Sequence, residues 1–215
     1  MLTIKKFTFN PVAENTYILY NEAKDAIIID AGFYFDEEKQ KMQDFINING
    51  LSLVQLLNTH AHLDHVFGNK WIYENYGLEL FLHPNEEQVL QFAPQSAQIW
   101  GMPFENYEGP LHFLENNDVV KLGEDELEVL LAPGHSPGSI CFYCKKQKFL
   151  IGGDVLFRES IGRTDLPGGN HAALVENIQN QLFILPDDVT VYPGHGETTT
   201  IGHEKMHNPF LKAQR

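Results

Sequence analysis

Four apolar runs in this chain each end in the same kind of residue. AIIIDAG (26–32), LLNTHAHLDH (56–65), FLIGGD (149–154) and TVYPGHG (190–196) all pass from Val, Ile or Leu into Asp, His or Gly. Short apolar runs rich in β-branched residues and bounded by turn residues read as buried strands. Their polar ends are where layered α/β proteins gather a site. The pattern therefore demands sheets covered by other layers, with one rim of polar groups.

The rest of the chain fits that demand. LTIKKFTF, NTYILYN, LELFLH, DELEVLLAP and SICFYCK also read as strands. FDEEKQKMQDFINING predicts a helix with Met42, Phe45 and Ile46 inward and a stop at Gly50. A second helix is expected over HVFGNKWIYENY, and a third over ALVENIQNQLFIL with Leu174, Ile178 and Leu182 on one stripe. IWGMPFENYEG reads either as a loop over the site or as plain packing, through Met102, Phe104 and Tyr107. Two sets of strands with helices between them predict an α/β layered fold with helices outside.

At 215 residues the chain is expected to form one domain, 1–215. The net charge of −14 argues against nucleic-acid and membrane partners. MLTIKKFTFNPVAENTY lacks the apolar core of a signal peptide, and no run approaches the ~20 apolar residues of a membrane span. A cytoplasmic protein is expected. Cys141 and Cys144 lie on one strand with their sulfurs on opposite faces, which reads as packing, not as a redox or zinc pair.

The densest polar end is NTHAHLDH, which holds three of the ten histidines. His60, His62, Asp64 and His65 are neutral-imidazole and carboxylate donors suited to zinc and other first-row dications. A structural zinc site usually includes cysteine, and this cluster has none. Histidine with carboxylate is more often a catalytic set with a position open to water. His135 in LAPGHSPGS, Asp154 in LIGGD and His195 in VYPGHGE stand at further strand ends and extend the donor set.

THAHLDH (59–65), PGHSPGS (133–139), GGD (152–154) and PGHG (193–196), in this order, resemble the metallo-β-lactamase superfamily over nearly the whole chain. The resemblance implies an αβ/βα four-layer sandwich, two mixed β-sheets face to face with helices outside. It implies two divalent metal ions, zinc foremost, with iron or manganese accepted by the same donors. His60, His62 and His135 would hold one metal and Asp64, His65 and His195 the other, with Asp154 between them. Asp30 would orient the histidine loop from behind. Asp64 would also be catalytic, taking a hydrogen bond from the nucleophilic water and later passing on a proton.

Within the superfamily, dizinc β-lactamases of the common type use a cysteine where this chain has Asp154, which argues against antibiotic hydrolysis. IGRTDLPGG (161–169) and GHEKMHNPFL (202–211) resemble the short bacterial glyoxalase II-like hydrolases. The implied activity is hydrolysis of a small-molecule thioester, the S-2-hydroxyacylglutathione class. Arg163 aligns with a lysine that holds glutathione in larger relatives, while Asp165 stands near the place of their tyrosine. An alternative resemblance is to persulfide dioxygenases, which share a G-R-T-D segment and use one iron; here its ligands would be His60, His135 and Asp154.

Overall fold

The isoleucines of the AIIID run face two ways. Ile27 and Ile29 pack into one apolar cluster and Ile28 into another, and all three are fully buried. A strand buried on both faces needs a layer on each side.

The computed structural model describes residues 1–211 and supplies those layers. The first half runs β1 (Thr3–Phe9), β2 (Glu14–Tyr20), β3 (Asp25–Ile29), α1 (Asp36–Asn49), β4 (Ser52–Leu57), α2 (Leu63–Val66), α3 (Asn69–Tyr76), β5 (Leu80–Leu82), α4 (Glu87–Trp100) and β6 (Leu111–Phe113). The second runs β7 (Val119–Leu122), β8 (Asp125–Leu131), β9 (Ile140–Cys144), β10 (Phe149–Gly153), β11 (Leu156–Phe157), β12 (Ser160–Ile161), α5 (His171–Asn177), β13 (Thr190–Pro193), β14 (Thr199–Thr200) and α6 (Ile201–His207).

One sheet has the order β1-β2-β3-β4-β5-β6 and the other β14-β13-β10-β9-β8-β7. Both are mixed: β3, β4, β5 and β6 run parallel, as do β10 and β13, while the other pairs within the two sheets are antiparallel. Tyr17, Leu19, Ile27 and Ile29 meet Leu127, Val129, Phe142 and Ile151 between the sheets. Met42 and Ile46 of α1, Ile72 of α3 and Leu90 of α4 cover the outer face of the first sheet. Leu174 of α5 and Ile201 of α6 cover the second. This is the αβ/βα four-layer arrangement.

The first helix ends where expected. Gly50 takes φ 61°, and its N–H returns to the carbonyls of Asn47 and Ile46. Cys141 and Cys144 are both buried, on opposite faces of β9.

Three segments differ from the sequence reading. The single helix expected over HVFGNKWIYENY is two, because the Gly68 N–H leaves the helical ladder and donates to the Ala31 carbonyl at 2.6 Å. A side chain there would strike the Phe33 ring at 2.4 Å. The third expected helix leaves α geometry after Asn177 and makes a π turn over Ile178–Leu182, which still buries Leu174, Ile178 and Leu182. The 14-residue α4 has no counterpart in the sequence reading, since Pro94 lies inside it. Its buried Leu90, Ala93 and Ala97 follow helical spacing. Tyr107 is core: its hydroxyl donates to the Pro110 carbonyl at 2.6 Å and accepts the Leu80 N–H at 3.1 Å. Among the described residues no helix is long and apolar enough to cross a membrane.

Candidate metal centre

β3, β4, β10 and β13 all end at one rim, so Asp30, the 58–65 loop, Asp154 and His195 meet there. His135 reaches the same rim from the loop between β8 and β9. The seven donors singled out in the sequence converge, though His60 and His195 stand 135 residues apart in the chain.

The hydrogen bonds fix which imidazole nitrogens face inward. Thr59 Oγ1 donates to Asp30 Oδ2 at 2.6 Å, so it accepts from His60 Nδ1–H at 3.1 Å. His65 Nδ1–H donates to Asp30 Oδ2 at 3.0 Å, and His135 Nδ1–H to the Arg163 carbonyl at 2.8 Å. His195 Nδ1–H donates to the Val12 carbonyl at 3.1 Å. Each of these four rings therefore turns Nε2 to the centre. His62 turns Nδ1, which stands 2.9 Å from His135 Nε2. His135 Nε2 lies 3.2 Å from His60 Nε2. Three lone pairs aimed at one another repel unless a cation sits among them.

The second group is more acidic. Asp64 Oδ2 lies 3.0 Å from His195 Nε2 and 3.6 Å from His65 Nε2. Asp154 stands between the groups, with Oδ1 3.5 Å from His65 Nε2 and Oδ2 3.5 Å from His135 Nε2 and 3.6 Å from His195 Nε2. His65 Nε2 and Asp154 Oδ1 are buried and lack a hydrogen-bond partner. Two unpartnered buried donor atoms 3.5 Å apart fit a shared cation. Asp30 also lies close to His60 and His65. Its two oxygens are already taken by the Asn58 amide, the Thr59 N–H and hydroxyl, and His65, which makes it an orienting group.

The electrostatics separate the two groups. Burial, then His135, push His62 down to about 3, and burial with the neighbouring rings holds His60 well below its ordinary value. Both are thus neutral, the form that ligates. Burial also opposes charge on His65, but Asp64, Asp154 and Asp30 outweigh it and raise its pKa. Burial works against the Asp154 carboxylate too, yet His65, His135 and His195 keep it well below the usual range. The acidic group attracts positive charge whether proton or metal.

Several residues that hold the site were not singled out in the sequence. Asn15 Nδ2 donates to the carbonyls of Pro193 at 3.0 Å and Gly196 at 2.9 Å, so β2 grips the His195 loop from the other sheet. Tyr17 adds a bond to the Pro193 carbonyl at 2.6 Å. Glu86, fully buried, accepts from the Ala61 N–H, the Ser136 hydroxyl and the Gly138 N–H. It ties the His60–His62 loop to the His135 loop. Gly194 leaves room for Asp154, since a Cβ there would sit 2.2 Å from Oδ1.

Arg163 is placed differently from the other candidates. Its guanidinium is exposed and forks onto Asp165, Nε to Oδ1 and Nη2 to Oδ2, each at 2.7 Å. Only its backbone carbonyl touches the donor set, through His135.

Residues 9–195 match the family model described as the metallo-beta-lactamase superfamily. The chain is 35% identical over 203 residues to hydroxyacylglutathione hydrolase GloC of Haemophilus influenzae, covering 94% of each chain. A solved structure described as the BLEG-1 B3 metallo-beta-lactamase superposes with a TM-score of 0.90 at 36% identity, over 98% of this chain and 100% of that one. TTHA1623, solved in a di-iron-bound form, superposes with a TM-score of 0.87 at 35% identity, over 96% of this chain and 100% of that one.

Proposed function

The chain belongs to the metallo-beta-lactamase superfamily, and from that membership we propose that this metallo-hydrolase is a thioesterase of the glyoxalase II type, cleaving S-2-hydroxyacylglutathione-like thioesters. We also propose that the chain acts as one domain, in the cytoplasm. The observation that carries the metal assignment is the inward turn of five imidazoles around buried, unpartnered atoms of Asp154 and His65. The likeness to the hydroxyacylglutathione hydrolase over 94% of both chains supports the thioester.

His60, His62 and His135 would hold one cation, Asp64, His65 and His195 a second, and Asp154 would serve both. Zinc is the first choice; the donor types also accept iron or manganese. Two such ions would supply Lewis acidity, lowering the pKa of water at the site and polarising the thioester carbonyl. Asp64, a carboxylate of the second group, accepts the hydrogen bond of the attacking water and takes up its proton. As the carbon–oxygen bond forms and the carbon–sulfur bond breaks, that proton goes on to the departing thiolate. The products are a carboxylic acid and a free thiol. Arg163 is our candidate for a carboxylate of the thiol carrier. Its pair with Asp165 is exposed, hence weak in water, and a carrier carboxylate can replace Asp165 on the fork.

The dioxygenase reading uses only His60, His135 and Asp154. It leaves the Asp64–His65–His195 group without a task. Elemental analysis with a substrate panel tests the choice: lactoylglutathione, a persulfide and a β-lactam, all on one preparation. Two metals per chain with thioester cleavage is the expected result. A single iron, with oxygen uptake on persulfide and no thioester cleavage, moves the assignment to the dioxygenase. Cleavage of the β-lactam alone moves it to the chemistry named for BLEG-1.

A further inference from the structure

A cavity of about 580 Å³ opens beside His62, between α4 and the loops that follow His135 and Arg163. Its volume falls in the range of small-molecule sites, about 300–1,000 Å³. Val89 and Phe92 of α4 line one side, and Pro137 and Leu166 the other. Glu87 is its one charged lining residue, and among the described residues no lysine or arginine faces it. Arg163, three residues before Leu166, is not part of the cavity lining, so a carrier carboxylate on its fork would lie outside the cavity.

Resting on the thioesterase part of the reading above and revising its acyl group, we infer that this cavity takes the acyl chain of the substrate, and that the preferred chain is an unbranched aliphatic one of several carbons in place of a short 2-hydroxyacyl group. A thioester has two halves, and soluble thiol carriers are polar and anionic. A carboxylate or phosphate placed here would find no cation, only neutral side chains such as Asn85, Gln88 and Ser96, and would face Glu87. A hydrocarbon chain meets the opposite situation, since each methylene buried against Val89, Phe92, Pro137 and Leu166 is worth about fourfold in binding. His62, a member of the first metal group, lines the cavity, so a chain lying in it can bring its carbonyl end to that group. The anionic carrier is then left on the open side.

The test holds the carrier fixed and varies the acyl group. S-acetyl-, S-butyryl-, S-hexanoyl- and S-lactoylglutathione are assayed with metal-loaded protein. kcat/KM is expected to climb about 16-fold per two-carbon step, with hexanoyl far above lactoyl. Phe92→Lys, at an exposed helix position, should flatten the series to less than about threefold per step, because it sets a cation against the chain. Binding gives a readout free of turnover. In chelator-treated protein, calorimetry should find S-hexylglutathione held at least about 100-fold more tightly than S-methylglutathione. A flat or falling series with lactoyl as the best substrate, or equal binding of the two thioethers, overturns the inference and leaves the thioesterase reading standing. No turnover of any of the four, by protein shown to carry its metals, ends that reading and the inference with it.

Discussion

The carboxylate of Glu86 accepts the backbone N–H of Ala61 at 2.7 Å, between two of the inward-turned histidines. Its other oxygen accepts the Gly138 N–H and the Ser136 hydroxyl, both at 2.6 Å, just after a third. One buried side chain therefore sets the distance between the two loops. Glu86→Gln puts an amide donor against a backbone or hydroxyl donor and should cost about 1–3 kcal/mol of stability. Glu86→Ala should cost more and loosen the His60–His62–His135 group. Denaturant unfolding and competitive metal titration check both. Parental midpoints and parental metal affinity in Glu86→Ala would refute the strap.

Asp154→Ala should remove turnover and weaken both metal sites together, since its two oxygens address both groups. The loss in metal affinity should exceed the ~10–100-fold typical of orienting partners. Equilibrium dialysis reads the stoichiometry. A variant that kept two tightly held ions and full turnover would end the bridging assignment.

Asp30→Ala should be milder. Asp30 binds Asn58, Thr59 and His65 and would touch no metal. A fall of about 10–100-fold in metal affinity is expected, with turnover recovering at high metal concentration. If added metal restores nothing, Asp30 does more than orient the loop.

Arg163→Ala distinguishes substrate contact from loop bracing. A contact made equally in ground and transition states raises KM for lactoylglutathione and leaves kcat near that of the parent. A thioester on a neutral carrier should then be spared. Equal losses on both carriers would show that the pair with Asp165 only braces the loop.

The thiols give a pH prediction. Burial pushes Cys141 up to about 12 from an ordinary 9.0, and also raises Cys144. With the folded pKa above the unfolded one, the contribution of Cys141 to stability is fully present below about pH 9. It is lost as pH rises from there towards about 12, by at most about 1.4 kcal/mol per pH unit. Native protein should resist a thiol reagent at pH 8 and react at both cysteines in urea. Fast labelling of the folded protein would contradict the burial.

The donor set was legible because its signals are local. An apolar run ending in His, Asp or Gly is visible within about ten residues, as in LLNTHAHLDH. The same holds for α1, whose apolar spacing and Gly50 stop lie in one stretch. The α4 helix was less legible because Pro94 reads as a break and its apolar stripe is short. Leu90, Ala93 and Ala97, with Gly101 after them, are the signal that would have found it.

By itself the sequence determined the layered fold and the kinds of atoms available to a metal, because both follow from period and residue type along the chain. Only the tertiary structure decided which nitrogen each histidine turns inward, since that depends on acceptors such as the Arg163 and Val12 carbonyls, 28 and 183 residues away from their partners. It also decided that Glu86 rather than Glu87 straps the loops while Glu87 faces the cavity. Two adjacent glutamates are alike as letters. They differ because the turn into α4 points one at the buried N–H groups of Ala61 and Gly138 and the other at the cavity.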